Sequence, residues 1–148
     1  MNAHFLKLSA YDRWANTRVL EALVDQKPDV ASWDKFSHIV LAENAWISRI
    51  TGTPNSFPNI FESLSEESLV MLNNSNSLSW TKIISETTDF NKVIHYKTIN
   101  GTETKSTITD ILTHIFNHGT YHRATVATLM RQEGHQPVAT DFISFTRL

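Results

Sequence analysis

The chain has 148 residues, 41% hydrophobic and 19% charged, a formal charge of 13 − 15 = −2, and no cysteine. This is enough for one domain spanning 1–148 with a real core, and it excludes disulfides and thiolate metal sites. With no grouped Lys and Arg to neutralise phosphates, no window that approaches a membrane span, and no signal-like apolar run in MNAHFLKLSAYDRW, the expectation is a cytoplasmic protein that binds neither nucleic acid nor membrane.

A first helix is expected over residues 3–25. Phe5, Leu8, Tyr11, Trp14 or Ala15, Val19 and Leu23 recur there at three- and four-residue steps, and Pro28 ends the element. On this reading Asp12, Arg13, Asn16, Arg18 and Glu21 occupy the other side. A second helix over 32–50 stops at Thr51-Gly52-Thr53-Pro54. His38 stands near its start, on the same side as Leu41, Ala42 and Ala45. A lone helical histidine is ordinarily structural, and spacing does not decide whether Glu43 and Arg49 are solvated or paired. Residues 55–64 read as a loop anchored by Phe57, Ile60 and Phe61.

A third helix covers 66–87 through Leu69, Leu72, Trp80, Ile83 and Ile84. Its Asn73-Asn74-Ser75-Asn76 stretch has poor helix propensity, and any break would fall there. Residues 92–98 then alternate, Asn100-Gly101 signals a two-residue hairpin turn, and 102–106 is β-branched and polar. The hairpin leads directly into a long helix, 107–133, with Thr107 as N-cap, Asp110 in the first turn, Arg131 in the last and Gly134 just beyond. After Pro137, the tail segment 141–145 is expected to pack across the bundle end.

The last helix carries the chemistry. Nearest to the meridian of Ile111 are Ile115, His118, His122, Val126 and Leu129, so two histidines interrupt an apolar stripe. Imidazoles at i and i+4 lie one turn apart on one face and can share a divalent cation. Each could instead be a core histidine with ordinary hydrogen bonds. Against that, two adjacent neutral rings need partners for four nitrogens, and a metal satisfies one on each ring at once. Gly119 between them leaves room for a neighbouring backbone or a ligand. His114, one turn earlier, has drifted about 60° from the meridian and reads as a boundary residue.

Four helical segments with mostly short connections imply a four-helix bundle with one internal site. The motifs YDRWANTRVL, HIVLAENAWISRI and ILTHIFNHGTYHRATVATLMRQEG, with the closing PVATDFISF, resemble the DinB/YfiT-like family over nearly the whole chain. That resemblance implies an all-α, DinB-like four-helix bundle with a short β-hairpin before the last long helix. It also implies a three-histidine metal site, one ligand on the second helix and two, four apart, on the last. The matching positions are His38, His118 and His122, whereas His4, His95, His114 and His135 fall outside the pattern. Family members often read HRGQ from the last ligand, where this chain reads His122-Arg123-Ala124-Thr125.

Three neutral imidazoles leave the ion its full charge and open positions, unlike a closed four-ligand structural site. Zinc and nickel both suit imidazole. The expected function is therefore a metal-dependent enzyme that activates water or a thiol, either a hydrolase or a transferase using a low-molecular-weight thiol. The alternative is a non-catalytic metal-binding bundle with a structural or interaction role. Asp141, Glu43 and Tyr121 are candidates for groups around the metal. Trp33 and Trp46, read as exposed aromatics, suggest a homodimer.

Overall fold

The computed structural model describes residues 1–148 as α1 (Asn2–Gln26), α2 (Val30–Thr51), α3 (Glu66–Glu86), β1 (Val93–Lys97), β2 (Glu103–Thr107), α4 (Ile108–Gln132) and a single turn, α5 (Phe142–Phe145). α1 packs on α3 and α4, and α2 packs on the same two helices. The order around the bundle is thus α1, α3, α2, α4. Although only a short link joins α1 to α2, these two helices sit across the diagonal.

Local chemistry sets most boundaries. Lys27 takes a left-handed φ of 48° to close α1, and Gly52 closes α2 at φ 72°. Ser65 caps α3 by accepting the Ser68 N–H at 3.2 Å, and Thr107 caps α4 by accepting the Asp110 N–H at 3.1 Å. α2 begins two residues before its expected start for a reason that lies far away in sequence. The Glu133 carboxylate, at the end of α4, accepts the Asp29 N–H at 2.9 Å and the Ser32 hydroxyl at 3.2 Å, so a tertiary contact satisfies the helix entry.

α3 does not break at its asparagines. Asn73 and Asn76 are buried, and the Asn76 side-chain amide donates to the Val40 carbonyl at 2.8 Å, so a residue disfavoured by propensity is retained by a partner on α2. In the hairpin, Lys97 pairs with Glu103 and the Thr98 N–H donates to the Thr102 carbonyl. Ile99, Asn100 and Gly101 form a three-residue loop with Gly101 at φ 80°, rather than the expected two-residue turn.

The core falls into two apolar clusters. One gathers Val19, Leu23, Phe36, Ile39, Leu69, Val126 and Met130. The other gathers Phe5, Trp80, Ile84, Phe90, Ile108, Leu112, Ile115 and Phe116. Along α4, the apolar residues of one end at Phe116 and those of the other resume at Val126, and the side chains between them are largely polar. Trp33 and Trp46 are half-buried against these clusters, so these two side chains are not the exposed aromatics the sequence suggested.

Candidate metal centre

The mid-bundle polar belt contains two assemblies. The first is wholly buried. The Arg123 guanidinium on α4 is 2% exposed, pairs with the Asp12 carboxylate on α1 and donates to the Asn16 side-chain oxygen at 2.8 Å. Asn16 in turn donates to Asp12 at 3.2 Å and to Glu43 of α2 at 2.8 Å. Burial, then the neighbouring Asp12 charge, raises the Glu43 pKa well above its ordinary value, which favours the neutral form of this carboxyl group. For Arg123, burial pulls the pKa down, but the pairing with Asp12 outweighs it and the net shift is upward. Gly119 makes room for this pair. A Cβ at that position would stand 2.8 Å from Asp12 Oδ1 and 2.9 Å from Arg123 Nη1. The space beside Gly119 therefore belongs to the ion pair and not to a ligand.

This network corrects the sequence expectation that Asp12 and Asn16 lie on the solvent side. Phe5, Ser9, Asp12, Asn16, Val19 and Leu23 follow 4-3-4-3-4 spacing, and all six are buried. The signal was a stripe whose helical spacing ran unbroken through polar positions.

The second assembly opens to solvent. His38, His118 and His122 each offer a ring nitrogen, and these atoms all lie within 4.8 Å of one another. His38 is buried, whereas His118 and His122 are half-buried, so the apolar stripe of α4 opens midway rather than enclosing them. The His38 Nδ1 donates to the Ile60 carbonyl at 2.9 Å, which leaves Nε2 with its lone pair free. The Phe61 ring stacks against that of His38, with the two ring planes nearly parallel and their centroids 4.9 Å apart. Residues 60 and 61 of the loop thus orient the α2 histidine, a role their sequence did not disclose.

No protein group satisfies the α4 pair: Nδ1 of His118 and Nδ1 of His122 are both buried without a hydrogen-bond partner. Burial, then the neighbouring histidines, pushes the His118 pKa down to about 3. Burial, then His38 and Lys35, takes His122 down to about 4. His38 is lowered by burial as well, despite the opposing hydrogen bond to Ile60. All three rings are therefore neutral at pH 7, the state a metal requires of imidazole. Three converging neutral donors, two with unsatisfied nitrogens, fit a divalent ion.

The other candidates separate cleanly. Tyr121 is exposed, with its ring 5.0 Å from that of His122. Glu43 belongs to the buried network, and Asp141 lies at the start of α5 on the wall of a different cavity. Of the remaining histidines, only His114 touches the cluster, its ring centroid 5.6 Å from that of His118. His4 and His95 are exposed, and His135 is half-buried near the tail.

The model of the DinB family matches residues 1–148. Protein DinB of Bacillus subtilis strain 168 is 24% identical over 160 residues, which cover 96% of this chain and 93% of that protein. No solved structure matches the chain. No helix is long and apolar enough to cross a membrane.

Proposed function

The chain belongs to the DinB family, and from that premise we propose that it is a metal-dependent enzyme acting on a small molecule, with His38, His118 and His122 as ligands of one zinc or nickel ion. The observation that carries this proposal is the convergence of three ring nitrogens within 4.8 Å. When bound, the ion supplies a Lewis acid able to lower the pKa of water to about 7 in favourable zinc sites, or to favour a thiolate over its thiol.

The three histidines are holders rather than proton carriers, because each contributes its neutral form and His38 is fixed by the Ile60 carbonyl. The chain contains no cysteine to serve as a covalent nucleophile. The reaction is thus hydrolysis or transfer of a low-molecular-weight thiol, in either case with the nucleophile activated outside the polypeptide. Half-burial of His118 and His122 leaves an approach for that small molecule from solvent.

Metal analysis of single variants tests the ligand set. The parent protein is expected to carry a single divalent ion, lost in His38→Ala, His118→Ala and His122→Ala and kept when His4, His95, His114 or His135 is replaced. Full occupancy in His122→Ala would falsify the triad. Activity is expected to vanish on chelation and return with zinc or nickel. Unfolding on chelation would instead indicate an ion that only clamps the helices.

A further inference from the structure

Three turns along α2 from His38 stands Arg49. Eleven residues at 100° each return almost to the same meridian, so both side chains share one face, about 16 Å apart along the axis. Ala42 and Ala45, between them, are buried, so the stretch of α2 that joins the two residues is covered by neighbouring parts of the fold. The Arg49 guanidinium lies 4.4 Å from the centroid of Trp46 and 5.1 Å from that of Tyr96. Trp46 also meets His114 edge-on at 5.6 Å, and His114 meets His118. An aromatic run therefore links Arg49 to the triad.

Arg123 in the mid-bundle belt and Arg49 in the last turn of α2 are treated differently. Arg123 is buried and has its carboxylate. Arg49, half-buried, has none: its one hydrogen bond is a long 3.4 Å contact to the Lys97 carbonyl. Arg49 lines a cavity of about 410 Å³ together with Ser48, Thr53, Asn55, Ile60 and Thr98, and is its only charged group. Asn55 uses its side-chain oxygen to accept from the Asn44 amide and the Phe57 N–H, which leaves its own amide as a donor. Ile60, on the cavity wall, is the residue whose carbonyl holds His38. A planar cation braced by two aromatic faces and ringed by hydroxyl and amide groups suits a carboxylate or a phosphate, whose oxygens a guanidinium meets with paired hydrogen bonds.

We propose that the substrate is elongated and anionic, its carboxylate or phosphate held by Arg49 in this cavity while its reacting end lies at the histidine triad. This rests on the metal-enzyme reading for the reacting end only. Arg49 is a specificity residue that fixes the far end of the molecule.

The test is a nuclear magnetic resonance titration of the isotope-labelled full chain, metal-free and zinc-loaded, with inorganic phosphate and with succinate. Chloride at equal ionic strength is the control. Saturable shifts are expected at the Arg49 Nε–H and at the Ser48, Thr98 and Ile99 amides. The affinity read from those amides should fall about tenfold or more in Arg49→Gln and less in Arg49→Lys, which keeps the charge without the planar fork. Thermal melts verify that both variants are folded. Shifts no larger than those caused by chloride, or equal affinity in Arg49→Gln, would overturn the proposal. A stronger response to phosphate than to succinate, or the reverse, names the class of anion. Loss of metal binding with the anion response intact would sink the metal reading alone, and the reverse outcome would sink this inference alone.

Discussion

α4 contributes to two polar assemblies within six consecutive residues. Gly119 and Arg123 serve the buried network with Asp12, Asn16 and Glu43, while His118 and His122 serve the triad with His38. Both assemblies interrupt an apolar core, and both would be costly if left unsatisfied. They answer that cost in opposite ways. In the network almost every buried polar atom has a protein partner, Arg123 Nε being the exception. In the triad the α4 rings have none, and only His38 is held by the loop. A polar cluster completed by the protein holds the fold, and one left incomplete is a place for something else to bind.

The largest effect should come from breaking the completed side. Asp12→Ala strands the buried Arg123 cation, and removal of one partner from a buried pair costs about 3–5 kcal/mol. Urea unfolding of the metal-free protein measures it. A loss below about 1 kcal/mol would show that water reaches Arg123 and that the network is less closed than its burial indicates.

Gly119→Ala should come next. Alanine improves helix propensity by about 1 kcal/mol, but its methyl enters contacts of 2.8 and 2.9 Å with the locked Asp12 and Arg123 side chains. The pair must shift to admit it, and overpacking of this kind costs about 1–3 kcal/mol. Net destabilisation is expected. A gain in stability would mean that the pair moves freely and that the close approach at this glycine is incidental.

These two residues also mark where the sequence stopped being informative. The long helix, its Thr107 cap, the hairpin and the inward pair His118 and His122 follow from period, capping chemistry and turn residues, all properties of neighbours in the chain. His38 came from family resemblance, because one histidine on a helix has no period to reveal it. The Asp12–Arg123 pair joins residues 111 positions apart, and the Glu133 cap on α2 joins residues 104 apart. Local spacing contains no term for such contacts. Asp12 and Asn16 could still have been suspected, since the buried spacing of α1 runs through them.

Replacement of Glu43 should have an effect of the opposite sign. Glu43 has a folded pKa raised above its unfolded value, so the folded state binds the extra proton. Its contribution to stability is fully present below the unfolded value of about 4.5 and is lost as pH rises towards the folded pKa, because the unfolded chain gains by ionising. Glu43→Gln keeps an oxygen to accept from Asn16 and cannot ionise. Its stability is expected to exceed that of the parent by a margin that grows as pH rises towards 8, and the two should converge near pH 4. Parallel stability curves across that range would show that Glu43 is already ionised in the folded protein and that its burial carries no protonation cost.

The smallest effect belongs to the open side. In the metal-free protein, His122 makes no hydrogen bond through its buried Nδ1, is half-buried, and contacts mainly the rings of Tyr121, His38 and His118. Its removal strands no partner, because none is bonded to it. Glutamine at this site fills similar volume, has better helix propensity and exposes its amide to solvent. Metal-free His122→Gln should therefore unfold within about 0.5 kcal/mol of the parent, as ordinary surface changes do. With zinc at a hundred times its dissociation constant, the parent alone should gain about 2.7 kcal/mol. Unfolding by urea with and without zinc separates the two terms. A loss of several kcal/mol in the metal-free variant would make the triad a structural element like the network beside it, and the contrast between the two assemblies would fall.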